Sequence, residues 1–229
     1  MRLAVRSILI AMFLAVSGPA AAGAFEDGQA AYDRSDYATA VRLWLPLAEQ
    51  GDAAAQAELG YMYDNGKGVK RDQAEGIKWY RKAAAQGNAF AQASLGFSYE
   101  HGRGVPRDYV AAAESFRKAA DQGNAFAQYN LGVLHDIGLG VAQDFVEAAK
   151  WYRRAAEQGD AAAQANLGAM YAQGNGVPKD NTQAYMWSSL AAAQGDRYAL
   201  KNREVIAKAM TPDQIAEAQR LAREWKPTK

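Results

Sequence analysis

The sequence predicts an all-α solenoid of antiparallel helix pairs, and three observations carry that prediction. Gly51, Gly87, Gly123, Gly159 and Gly195 fall 36 residues apart. The four segments they open, 51–86, 87–122, 123–158 and 159–194, align without a gap; GDAAAQAELGYMYDNGKGVKRDQAEGIKWYRKAAAQ and GNAFAQYNLGVLHDIGLGVAQDFVEAAKWYRRAAEQ are the first and third. Each segment divides into two helix-length stretches around a glycine-rich loop. Self-similarity at such a period marks a stacked array in which each unit buries its apolar face only against its neighbours.

Taken in order, residues 1–24 read as a cleaved export signal. Arg2 and Arg6 supply a positive start, Ser7 to Val16 form a short apolar run, Gly18 and Pro19 break it, and Ala22-Gly23-Ala24 suits a cleavage site. Cleavage after Ala24 leaves Phe25 first, and no membrane insertion is expected of the remaining chain. Residues 25–50 read as an N-terminal capping helix pair. Asp36 lies 36 residues before Asp72 in the cap register of the second helix, and Pro46 inside that helix predicts a kink.

Within each repeat the opening glycine ends the previous helix in the left-handed region. Asp52, Asn88, Asn124, Asp160 and Asp196 follow as N-caps of helix A. Leu59, Leu95, Leu131 and Leu167 supply its core contact. Gly60, Gly96, Gly132 and Gly168 come directly after, where glycine costs about 1 kcal/mol against alanine; its recurrence predicts a helix–helix approach too close for a side chain. Two loop glycines, Gly66 and Gly68 in the first repeat, lead to Asp72, Asp108, Asp144 and Asp180 as N-caps of helix B. Glu75, Glu147 and Gln183 three residues on predict capping boxes. Trp79, Trp151 and Trp187 share one buried register, followed by paired alanines. Residues 195–229 form C-terminal capping helices, with Thr211-Pro212-Asp213-Gln214 a strong helix start.

Composition excludes several functions. There are 26 basic and 25 acidic residues, and without residues 1–24 the balance is 24 − 25 = −1. No basic run exists to hold nucleic acid. The absence of cysteine excludes disulfides, thiolate metal sites and a cysteine nucleophile. His101 and His135 are the only histidines; two without a partnered carboxylate do not make a zinc site, and His135 stands in the slot of Tyr63, Tyr99 and Tyr171 as a packed aromatic substitute. GYMYDNGKG from Gly60 to Gly68 lacks the Ser or Thr of a phosphate loop, since Gly68 follows Lys67. No cofactor is expected.

The pattern A-x-A-Q-x-x-L-G-x-x-Y, then G-x-G-V, D-x-x-x-A and W-Y-x-x-A-A-x-Q-G resembles the Sel1-like repeat, a relative of the tetratricopeptide repeat, from Phe25 to about Gly195. His135, Ala142 and Ser115 depart from it. The resemblance implies a right-handed superhelix with helix A on the concave face, and a monomeric adaptor or regulator, as several relatives in the bacterial periplasm are. One cysteine-rich branch is linked to β-lactam binding, and Ser115-Phe116-Arg117-Lys118 matches the S-x-x-K nucleophile motif. Yet Ser115 sits in the tryptophan slot, no companion motif is present, and no enzyme is expected.

Positions that vary between repeats are free for recognition. On helix A these are Ala54, Phe90, Phe126 and Ala162, then Glu58, Ser94, Asn130 and Asn166, then Tyr61, Phe97, Val133 and Ala169. Spacings of four and three put them on one face. Rings beside amides suit an extended peptide, because an amide pairs with both peptide N–H and C=O. The candidate groove is therefore Phe90, Phe97, Phe126, Tyr129, Asn130 and Asn166, with Tyr61 and Glu58 beside them, for a protein or peptide partner. Rings that only pack between repeats are the competing reading, and a glycan of the cell envelope is a second ligand class.

Overall fold

The computed structural model describes residues 19–228. Most of the expected export signal lies outside the described residues, and the expected cleavage point after Ala24 falls inside the first helix. The described chain contains twelve helices and no strand: α1 (Pro19–Asp33), α2 (Tyr37–Glu49), α3 (Ala53–Asn65), α4 (Gln73–Ala85), α5 (Ala89–His101), α6 (Tyr109–Asp121), α7 (Ala125–Ile137), α8 (Phe145–Glu157), α9 (Ala161–Gln173), α10 (Asn181–Ala193), α11 (Arg197–Ala207) and α12 (Pro212–Glu224). Odd-numbered helices up to α9 are A helices, and even-numbered ones up to α10 are B helices. Each packs on the next, and the A helices also touch one another across repeats, α3 with α5 and α5 with α7.

The cap residues behave as their chemistry requires. The Asp52, Asn88, Asn124 and Asp160 side chains accept from the backbone N–H three residues on, as do those starting the B helices. The expected capping boxes in the B helices are only half made. Asp72, Asp144 and Asp180 receive the N3 amide, but Glu75 and Glu147 turn instead to Lys78 and Lys150, at 2.6 and 3.0 Å. A lysine one turn on outcompetes a backbone N–H for a carboxylate. The full box forms at Thr211 and Gln214. Pro46 lies within α2, which runs through it to Glu49.

The close approach predicted at the helix A glycines is real. A Cβ on Gly60 would lie 2.5 Å from the Tyr80 ring, one on Gly96 2.6 Å from Phe116, one on Gly132 2.7 Å from Tyr152, and one on Gly168 2.7 Å from Ser188 Oγ. Gly28 meets Trp44 in the same way. The N-terminal pair therefore has the repeat's own seam, with a shorter turn between its helices. The reason lies in the double-glycine loop. Its second glycine abuts the start of the preceding B helix, as Gly104 does on Gln73, and the first pair lacks that loop.

A ladder of buried glutamines ties repeat to repeat. Gln56, Gln92, Gln128 and Gln164 each donate to a carbonyl of the preceding B helix, those of Ala48, Ala84, Ala120 and Ala156. Each also accepts from the glutamine closing its own repeat, Gln86, Gln122, Gln158 and Gln194, at 2.7–2.9 Å. Trp79, Trp151 and Trp187 are buried as expected. Lys82 lies 4.0 Å above the Trp79 ring and Arg154 4.7 Å above Trp151. The second repeat is the exception. Ser115 replaces the tryptophan, Ser98 replaces the Met62, Leu134 and Met170 of the facing slot, and Leu95 is less covered than Leu59, Leu131 and Leu167.

Candidate functional site

The variable positions of the A helices form one wall. Tyr61, Phe90, Phe97 and Phe126 line a cavity of about 360 Å³ together with Tyr80, Ser94, Asp64, Asn65, Asn124 and Arg103. Phe90 rests on Tyr61 and on Tyr80 of the preceding B helix, with ring centres 6.3 and 6.2 Å apart. Phe126 repeats the arrangement on Phe97 and Phe116, at 6.1 Å each. These rings do pack between repeats, yet Phe90 stays 43% exposed and Phe126 47%. One face of each ring is spent on the fold and the other is open to solvent. The third junction loses this stack, with Val133 and Ala162 in place of the rings.

The other expected residues are placed as follows. Tyr129 is half-buried against Tyr152, ring centres 5.9 Å apart, and belongs to the next junction along. Asn130 donates its amide to the Phe126 carbonyl of its own helix at 2.7 Å. Asn166 lies beside Tyr152, and Ser94 beside Tyr80. The two asparagines share a register but not a partner, because the second repeat has Phe116 where its neighbours have Tyr80 and Tyr152. Burial lifts both tyrosine phenols well above their usual range, so each remains a hydrogen-bond donor. Glu58 is half-buried, and desolvation pushes its carboxyl up.

A second set of groups on this wall had no sequence signal of its own. The loop after each A helix leans back onto the end of the A helix before it. Lys67 donates to the Tyr32 hydroxyl at 2.7 Å, and its ammonium sits 4.8, 4.9 and 5.1 Å from the Tyr32, Tyr37 and Tyr61 ring centres. Arg103, one repeat on, pairs with Asp64 at 3.1 Å and lies 5.3 Å over Phe97. Leu139 and Asn175 fill the same loop position farther along. These pairs span more than one repeat, so register within a single unit does not reveal them.

Nothing on the wall assembles a catalytic group. Ser115 Oγ donates to the Ala111 carbonyl of its own helix at 2.7 Å, and Lys118 is exposed on the B side. His135 is buried and accepts through Nε2 from Arg117 at 3.1 Å, the role that the Tyr99 and Tyr171 hydroxyls play for Arg81 and Arg153. Desolvation, then Arg117, lowers its pKa, so the ring is neutral. Among the described residues no group of three or more acidic or histidine side chains could hold a metal, and no helix is long and apolar enough to cross a membrane.

The Sel1 repeat model matches five segments, 21–52, 53–88, 89–124, 125–160 and 161–196. The first covers the N-terminal pair read above as a cap, and at 32 residues against 36 it is a repeat with a shortened turn. No curated protein matches. A protective antigen of uropathogenic Escherichia coli displaying an SLR fold is 38% identical with a TM-score of 0.78, over 89% of this chain and 46% of the antigen, so this chain spans under half its length. A Sel1 repeat protein from Oxalobacter formigenes is 36% identical with a TM-score of 0.76, over 89% of this chain and 86% of that one. A putative Sel1 repeat protein from Klebsiella pneumoniae, 19% identical with a TM-score of 0.53, shares the fold.

Proposed function

The chain belongs to the Sel1 repeat family, whose members generally mediate protein–protein interaction, and from that premise we propose that its helix A wall holds an extended segment of a partner protein outside the cytoplasm. The observation that carries this reading is the half-open ring stack. Phe90 and Phe126 are anchored on one side by Tyr80 and Phe116 and bare on the other, at two successive junctions beside polar groups. Large rigid rings give contact area at low entropic cost, which is what a peptide-binding surface uses. Export rests on the charged, apolar and small-residue order of residues 1–24. The protein acts as a scaffold or regulator and carries out no chemistry.

Site-specific photo-crosslinking tests the surface. A benzophenone side chain replacing Phe126, in chains expressed with their own leader, captures a partner in the cell envelope. The same group at Lys118, exposed on the B side, captures none. Equal capture from Lys118 alone moves the function to the outer face. Lys82 and Arg154 are unsuitable as controls because they cover Trp79 and Trp151. The intact mass of the exported chain checks the leader, and a retained Met1 overturns export.

A second reading, a glycan ligand, draws on the exposed rings beside the carboxyls of Glu58 and Asp64. Peptidoglycan fragments competing for Phe126 crosslinking would favour it.

A further inference from the structure

The acids at the end of the A helices are satisfied at two junctions and not at the one between them. Asp64 receives Arg103 from the following loop at 3.1 Å and Gln73 Nε2 at 3.1 Å. Asp136 receives the Tyr152 hydroxyl at 3.2 Å. Glu100 stands in their register, and the donor positions around it have changed: Leu139 replaces the loop cation, Phe116 the tyrosine and Tyr109 the glutamine of Gln73. Glu100 Oε2 is buried with no hydrogen-bond partner in the described chain. His101 Nδ1 is 3.7 Å away, too far for a hydrogen bond, and lies 3.1 Å from the Phe97 carbonyl, to which it donates. Phe97, Phe116 and Leu139 all belong to one apolar cluster at this junction, while the carboxylate side chain keeps 17% of its surface open.

A buried carboxylate without a donor costs free energy that a partner can recover. The neighbouring junction shows what fits. There a guanidinium meets the acid while lying over the Phe97 ring. The second repeat presents the same acid, with the internal arginine removed. Resting on the reading of this wall as a peptide-binding surface, we infer that Glu100 is the specificity residue of the groove and takes an arginine side chain of the bound segment, one repeat along from the aromatic cavity at Phe90 and Phe126. The guanidinium would pair with the carboxylate through its open edge and cover the half-buried Leu139. Lysine would fill the site less well, lacking the flat face and the paired donors.

The test uses the mature chain from Phe25 and a positional-scanning library of acetylated, amidated heptapeptides, with Glu100→Gln and Leu139→Arg as variants. Leu139→Arg restores the internal cation that Arg103 provides for Asp64. Wild-type protein should enrich arginine at one position beside an aromatic or aliphatic residue. Both variants should lose that preference, with about tenfold or greater weakening for the best arginine peptide and unchanged binding of its norleucine counterpart. Thermal melts confirm that each variant is folded. Arginine enrichment that persists in Glu100→Gln, or peptide binding with no basic preference, overturns the inference and leaves the groove standing. A library from which nothing is retained removes the peptide-binding reading and this inference with it.

Discussion

The seam between helices A and B and the wall of the A helices are built from the same helices, yet they obey different rules. Along the seam the repeats largely copy one another: a glycine against a ring in the first three, a glutamine bonded forward and back in all four, a tryptophan under a cationic lid in the first and third. Along the wall, Tyr61, Phe97, Val133 and Ala169 share a register and nothing else. The seam is over-determined, because a change of one methylene meets backbone or a buried ring. The wall faces solvent, and substitution there leaves the stack intact. The second repeat stands between the two cases, having lost seam residues at Ser98 and Ser115 and gained an exposed ring at Phe90 and a half-buried one at Phe97.

Five measurements break or sharpen that contrast. Trp151→Ala should cost about 3–5 kcal/mol, read as a large fall in the denaturation midpoint. Its mirror, Ser115→Trp, should raise stability by about 0.5–2 kcal/mol by filling the tryptophan slot left small in the second repeat. A destabilised Ser115→Trp would show that the second repeat has closed around its serines. Gln128→Ala should cost about 1–3 kcal/mol, since it removes two buried hydrogen bonds at once, to the Ala120 carbonyl and from the Gln158 amide. If Gln128→Ala melts with wild type, the ladder is not holding the repeats together.

Acid should act on the seam through His135. Its folded pKa lies below the ordinary 6.5, so the unfolded chain binds the proton more readily. The stability it contributes is complete above the unfolded value and falls away as pH drops through the folded one. Melts between pH 8 and 5.5 should decline more steeply for wild type than for His135→Tyr, which restores the tyrosine of the other repeats. Parallel curves would remove His135 as the cause. Glu58 and Glu100, raised by burial, act in the opposite sense from their ordinary 4.5 upward, and equally in both chains, so the comparison isolates His135. On the wall, Phe126→Ala should change stability by about 1 kcal/mol or less while weakening partner binding. A loss of the size of Trp151→Ala would return the ring to the fold.

The seam was legible in the sequence because packing forces identity, and identity shows as a period. Leu59, Gly60, Asp72 and Trp79 could each be read from their equivalents. The N-terminal repeat was hidden because its turn is shorter, which throws Gly28 out of the 36-residue register while leaving Trp44 within it. The capping boxes at Glu75 and Glu147 were misread because Lys78 and Lys150 were available as partners. The wall was legible only as a set of rings. Which acid meets which base depends on the loop folding back over the previous unit, so Asp64 with Arg103 and Glu100 with none came into view only in three dimensions.

The glutamine ladder also constrains how such a chain can change in length. Each amide needs a carbonyl behind it and another amide ahead, and both lie at fixed distances along the sequence. Duplicating one whole 36-residue unit inserts a new link with every bond made. Inserting or deleting any other number within a helix leaves a buried amide with no mate on either side. The array therefore lengthens in quanta, and a gene that copies itself unit by unit produces a foldable protein at every step.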